Sequence, residues 1–124
     1  MKITTFDPMI LTPRHDETVA LFEALGFQKT HNPSTTTEKG DIACTRMKNP
    51  DGFHVDIADM KHIDRDVTYI RMNVDDFEEA YKILTEHGFK NTRGDETLGT
   101  GSAAEATMVS PSGFRIALIK HFRK

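Results

Sequence analysis

Apolar and polar positions follow two rhythms along this chain, and each rhythm occurs twice. Val19, Phe22 and Leu25 recur at three-residue spacing, and Phe77, Ala80, Tyr81 and Leu84 follow the i, i+3, i+4, i+7 pattern. Both are apolar stripes of amphipathic helices. Start and stop signals agree. Thr12 can cap the first helix, Pro13 suits its first position, and Asp16 and Glu17 favour its first turn. Asp75 or Asp76 can cap the second, with Glu78 or Glu79 three residues on. Gly26 and Gly88 end them, because glycine accepts the left-handed conformation of a helix terminus. Elsewhere the period is two. Phe53, Val55 and Ile57 alternate with His54, Asp56 and Ala58. Phe114, Ile116 and Leu118 alternate with Arg115, Ala117 and Ile119, and Ile70, Met72 and Val74 with Tyr69, Arg71 and Asn73. Such alternation marks strands with one face toward a helix and one face polar.

These elements come in the same order twice. A strand (residues 6–12, then 67–74) precedes each helix. A strand from Phe27 or Phe89, a polar loop and a hairpin around Pro-x-Gly follow it. Leu25-Gly26-Phe27 matches His87-Gly88-Phe89 at an offset of 62, and Pro50-Asp51-Gly52-Phe53 matches Pro111-Ser112-Gly113-Phe114 at an offset of 61. Two matches in the same order, one residue apart in offset, indicate an internal repeat with one insertion or deletion. The expectation is a single α+β domain over residues 1–124, built from βαβββ units at about 1–62 and 63–124. The loops at residues 32–40 and 92–102, rich in Thr, Ser and Gly, are expected to be mobile and able to close over a ligand.

Charge narrows the partners. With 16 basic and 19 acidic residues the chain lacks the concentrated positive face that nucleic acid or an anionic membrane needs. Lys120, His121, Arg123 and Lys124 make only a short basic end, read as solvated. Cys44 is the single cysteine, so no internal disulfide forms, and it reads as a small strand side chain. Asp7 and Pro8 interrupt any leader-like apolar core, and no apolar run is long enough to span a bilayer. The expected location is the cytoplasm.

The tandem βαβββ order, the two Gly-Phe helix ends and the two Pro-x-Gly-Phe hairpins resemble the vicinal oxygen chelate superfamily, which includes glyoxalase I, bleomycin-resistance proteins and extradiol dioxygenases. The resemblance covers nearly the whole chain. It implies curved mixed sheets around a cleft, and a homodimer. In the metal-dependent members it also implies four ligands, usually His or Glu, from the first and last strand of each unit. Carried over, those positions are Asp56, its repeat mate Ala117, Tyr69, and Asp7, with Phe6 as the competing assignment for the last. Alanine has no donor atom, neutral tyrosine is a poor ligand, and two aspartates alone hold a divalent ion weakly. No metal cofactor is therefore favoured; a divalent metal, if bound, would use Asp7, Asp56 and His54.

Chemistry in such a cleft would centre on Asp56, the candidate catalytic carboxylate, for which burial can raise the pKa toward working pH. Without metal, Arg71 and Arg115 are the cations on the cleft faces. Asp56 and Arg71 are expected to pair with each other or with a ligand. Glu105 and Thr107 share a face of the penultimate strand, but Ala103, Ala104 and Ala106 give no alternation to say which. There is no phosphate-cradling glycine loop and no nucleophile elbow. The expected function is binding of a small organic molecule, of bleomycin-resistance type, through Asp7, His54, Tyr69, Arg71, Asn73, Arg115 and Ala117. The alternative is a metal-dependent glyoxalase-like lyase or isomerase with an atypical ligand set.

Overall fold

A computed structural model describes residues 1–31, 34–37, 40–94, 98–100 and 103–121. Ten strands and two helices follow one another as β1 (Ile3–Thr12), α1 (His15–Ala24), β2 (Gln28–His31), β3 (Ser34–Thr37), β4 (Gly40–Lys48), β5 (His54–Asp59), β6 (Val67–Val74), α2 (Phe77–Glu86), β7 (Lys90–Asn91), β8 (Leu98–Thr100), β9 (Ala103–Val109) and β10 (Arg115–His121). The fold is α+β with mixed sheet pairing. Among the described residues no helix is long and apolar enough to cross a membrane. Two compact units partition the chain: an N-terminal unit, Asp7–Thr68, and a C-terminal unit, Met1–Phe6 with Tyr69–Lys124.

In the N-terminal unit the strands run β2, β4, β5, β1, and β3 adds to β4 as a hairpin. β1 and β5 are parallel, with Met9 opposite Asp56 and Ile10 opposite Ile57. β4 and β5 are antiparallel around the Pro50–Gly52 turn, with Arg46 opposite Asp56 and Lys48 opposite His54. Asn49 shapes that turn: its Oδ1 accepts from the amides of Asp51 at 3.1 Å and Phe53 at 2.8 Å. One face of the sheet, with Met47, Val55, Ile57 and Ile10, packs on Val19 and Phe22 of α1.

Three expectations for this unit need correction. α1 begins at His15, later than Thr12 and Pro13 implied, with Arg14 as its N-cap. Thr12 Oγ1 accepts from the Arg14 amide at 3.0 Å, so it braces the approach to the helix without capping it. Leu25 is 63% exposed, because three-residue steps fall 60° short of a full turn and the third residue leaves the buried stripe. Phe27 takes its place, edge-on to Phe22 with ring centres 5.4 Å apart. Phe53 is 67% exposed and precedes β5, so it belongs to the turn and not to the core face.

In the C-terminal unit the order is β6, β10, β9, β7, with β8 pairing to β9. β6 and β10 are parallel, with Ala117 opposite Arg71, and β9 and β10 are antiparallel. Met72, Val74, Ala106, Met108, Ile116 and Leu118 pack against Ala80, Phe77, Tyr81 and Leu84 of α2. Asp76 caps α2 as expected, accepting from the Glu79 amide at 3.0 Å. Ser110 does here what Asn49 does in the other turn, its Oγ accepting from the amides of Gly113 at 2.9 Å and Phe114 at 3.0 Å. Phe114, like Phe53, is exposed and lies outside the strand, although its ring meets Phe89 edge-on at 5.3 Å.

The polar stretches expected to be loops contain the short strands β3 and β8; residues 32, 33, 38, 39, 95–97, 101 and 102, on which the rest of that expectation falls, lie outside those described, as do Arg123 and Lys124. β1 begins at Ile3, three residues earlier than read, and its first residues are tied to the C-terminal unit. The Lys2 amide donates to Asp75 Oδ1 at 2.6 Å, and the Asp75 amide donates to the Lys2 carbonyl at 3.1 Å. The bond from the Lys2 amide is the leading cause that holds the Asp75 carboxyl below its usual range.

Candidate functional site

Each unit has a second sheet face, turned away from its helix, and all of the sequence-predicted site residues sit on strands that contribute to these faces. In the N-terminal unit the parallel register puts Asp7, Met9 and Leu11 on the same side as Asp56 and Ala58, because Met9 lies opposite Asp56 and alternate residues share a face. Cys44, Arg46 and Lys48 of β4 join them. Asp56 is 0% exposed and Asp7 5%. A fully buried carboxylate needs charge and hydrogen-bond partners to remain ionised. Arg46 provides one: its Nε donates to Asp56 Oδ1 at 3.1 Å. Arg46 Nη2 is also buried and has no hydrogen-bond partner among the described residues. His54 is exposed, at the start of β5, opposite Lys48.

In the C-terminal unit the second face carries Tyr69, Arg71 and Asn73 on β6, Arg115, Ala117 and Ile119 on β10, and Glu105, Thr107 and Val109 on β9. The undecided face of Glu105 and Thr107 is thereby settled. Thr107 lies opposite Ala117 and Glu105 opposite Ile119, while Ala106 and Met108 point to α2. The Arg115 guanidinium carbon lies 5.9 Å from the centre of the Tyr69 ring, within cation–π range. Arg71 Nε donates to Asn73 Oδ1 at 3.3 Å. Asn73, Ala117 and Ile119 are buried although α2 packs on the opposite face.

The two parallel registers bear on the first-strand position. Asp56 faces Met9 and Ala117 faces Arg71, so Met9 corresponds to Arg71 and, two residues back, Asp7 corresponds to Tyr69. Asp7 is buried and the competing Phe6 is exposed. The four corresponding positions thus carry two carboxylates, a phenol and a methyl group. This set does not fit a divalent metal: Ala117 offers no donor and Asp56 is already engaged by a guanidinium. Among the described residues no three His, Cys, Asp or Glu side chains cluster in a way that could hold a metal ion.

Arg46 is the residue that sequence reading missed. A usable signal existed, because counting outward from Asp51 in the Pro-x-Gly turn puts Arg46 opposite Asp56. Another missed group is His15, in the first turn of α1. Its Nε2 shares a 2.8 Å hydrogen bond with Thr45 Oγ1, and its Nδ1 lies 2.9 Å from Asp16 Oδ1. The bond from His15 is the leading cause that holds the Asp16 carboxyl below its usual range. This group lies on the helix side of β4, away from Asp56.

The fold is that of the vicinal oxygen chelate proteins. A methylmalonyl-CoA epimerase structure is similar over 99% of this chain and 99% of its own, with a TM-score of 0.69 and 20% identity. Glyoxalase I from Zea mays (a V278E mutant) matches 98% of the chain with a TM-score of 0.67 and 14% identity; the chain spans 44% of that protein's length. A glyoxalase/bleomycin resistance protein/dioxygenase superfamily member from Vibrio splendidus 12B01 matches 96% of the chain and 99% of its own, with a TM-score of 0.62 and 13% identity. No protein-family model and no curated protein matches the sequence.

Proposed function

We propose that this protein binds a small organic molecule, in the manner of the bleomycin-resistance proteins, without a standard catalytic metal site. The observation that carries this reading is the second face of the C-terminal unit. Arg71 and Thr107 lie opposite Ala117, and Tyr69, Asn73 and Arg115 share its face, where a metalloenzyme of this fold would need a donor atom. Half-buried Tyr69, Arg71, Arg115 and Thr107, with buried Asn73, are side chains of mixed polarity suited to a ligand's polar groups. The ligand-binding residues of this reading are Tyr69, Arg71, Asn73, Arg115 and Ala117 in this unit and, taken separately, Asp7 and His54 in the other. The repeated units act as one domain, and the working form is a cytoplasmic homodimer.

A ligand screen by thermal shift tests the reading, because a compound that binds only the folded state raises Tm with concentration. A concentration-dependent rise that is lost in Arg71→Ala with Tyr69→Ala, while the far-ultraviolet spectrum stays native, supports it. An unchanged rise in that variant refutes the placement.

A second reading is favoured by one observation: the buried carboxylates Asp7 and Asp56 share a face of the N-terminal unit. Such a pair is costly unless it has a use, and in a metal-dependent lyase or isomerase of glyoxalase kind it would bind the ion or move a proton, with Asp56 as the base. Elemental analysis after dialysis against zinc, nickel, manganese or iron(II) separates the readings. About one metal per chain or per dimer, lost in Asp56→Ala, establishes the second; metal far below that under every condition retires it.

A further inference from the structure

At one place on the second faces, charge is present in one unit as a pair and replaced in the other as a pair. In the N-terminal unit Asp56 of β5 stands opposite Arg46 of β4, and the arginine Nε lies 3.1 Å from the carboxylate Oδ1. The corresponding residues of the C-terminal unit are Ala117 of β10 and, opposite it, Thr107 of β9. The arginine thus accompanies the carboxylate: where the acid is an alanine, the residue facing it is an uncharged hydroxyl. The pair is enclosed, with Asp56 0% exposed and the arginine Nη2 buried as well. Burying an ionised carboxylate is costly unless a cation and hydrogen bonds go with it. In the metal-dependent proteins that this chain resembles, the position of Asp56 serves an ion. Asp7 lies on the same face, two residues before Met9, which is opposite Asp56, and is itself buried. Carboxylates therefore occupy two of the ligand positions, and the cation beside Asp56 is a side chain.

We infer that the guanidinium of Arg46 stands in for the metal ion on this face. It is a cation carried by the chain itself, so Asp56 draws no ion from solution, and its positive charge repels one that approaches. It does not supply Lewis acidity: a guanidinium donates N–H bonds but has no coordination position with which to polarise a ligand oxygen or acidify a bound water. Arg46 is then the residue that makes the face work without metal. The inference rests on the metal-free reading above and names the residue responsible for it. Its converse is that an uncharged side chain at position 46 leaves both buried carboxylates without that charge, and a divalent cation then enters. Binding should be weak, since two aspartates are a small ligand set.

The test uses Mn²⁺ as the probe, with the bound ion read from loss of the free-ion electron paramagnetic resonance signal. Arg46→Gln keeps an amide that can donate to Asp56 and removes the charge. It should bind Mn²⁺ about tenfold or more tightly than wild type, since removing a unit charge beside a divalent ion is worth that factor even at the dielectric of water. Arg46→Lys keeps the charge and should bind no better than wild type. The gain should vanish when Arg46→Gln is combined with Asp56→Asn. Equal affinity of wild type and Arg46→Gln, an equal gain in Arg46→Lys, or a gain that survives Asp56→Asn overturns the inference and leaves the ligand-binding reading standing. Stoichiometric Mn²⁺ on the wild-type chain, lost in Asp56→Asn, overturns the inference and the metal-free reading together. If Arg46→Gln is unfolded, recovery of the native far-ultraviolet spectrum in Mn²⁺ but not in sodium chloride of equal ionic strength supports the inference, and a chain unfolded in both overturns it.

Discussion

Arg46 and Asp56 meet across β4 and β5 with the carboxylate wholly enclosed and the guanidinium partly in contact with water. Removing the arginine takes a counter-charge from a wholly buried carboxylate. Arg46→Ala should therefore cost about 2–4 kcal/mol in urea unfolding, somewhat below the usual figure for a broken buried pair because one partner reaches solvent. The double variant Arg46→Met with Asp56→Leu should recover most of that loss, since apolar replacements remove the desolvation cost together with the attraction. Asp75 offers a test of opposite character, because it is exposed and its hydrogen bond to the Lys2 amide favours the charged form. Its folded pKa lies below the unfolded one. The stabilisation is therefore fully present above the unfolded pKa and is lost as pH falls through the folded pKa. The Tm gap between wild type and Asp75→Asn should be constant near neutrality and close in acid; a gap that persists in strong acid contradicts this. Asp56 and Asp7 were reached through the resemblance, at positions it carries over, whereas Arg46 was not. It lies in Cys44-Thr45-Arg46-Met47, a strand with buried residues on both faces and hence no alternation to expose its orientation.

At the level of elements, the two helices and the two Pro-x-Gly turns were legible because each rests on local chemistry: an apolar stripe, an aspartate cap, a glycine terminus. β3 and β8 were not, since Ser, Thr and Gly carry little burial and their pairing with β4 and β9 depends on the partner strand. The exposed positions of Phe53 and Phe114 were also missed, because alternation was carried one residue too far into each turn. The glycines that end the helices make a controlled pair. Both have positive φ, +103° at Gly26 and +91° at Gly88. A Cβ at Gly26 would meet nothing within 4 Å, whereas one at Gly88 would stand 2.8 Å from Pro111 Cγ. Gly26→Ala should cost about 1–2 kcal/mol, the backbone strain alone. Gly88→Ala should cost clearly more, because the proline ring is rigid and the whole β9–β10 turn must shift. Equal losses in chemical denaturation would mean that the turn yields freely. Met108, fully buried beneath α2, should lose about 2–5 kcal/mol on Met108→Ala.

On the scale of the whole molecule, the order of elements was readable from the matched Gly-Phe and Pro-x-Gly-Phe segments, since spacing survives when side chains drift. The chemistry was less so. A resemblance supplies positions, and at those positions this chain has its own residues: Ala117 where a donor would stand, and Arg46 against Asp56. What these residues do depends on cross-strand neighbours, and register is fixed only when strands pair.

Residues Met1–Phe6 belong with the unit whose remainder begins at Tyr69, while Asp7–Thr68 form the other unit without a break. During synthesis the intervening stretch emerges without interruption, but the C-terminal unit must wait for β9 and β10 before it can combine with residues 1–6, made before that stretch. Closing so long an interval is entropically slow. The N-terminal unit should thus acquire amide-exchange protection first, and the Lys2 and Asp75 amides last. The C-terminal unit is completed only by residues made before the whole of the other unit.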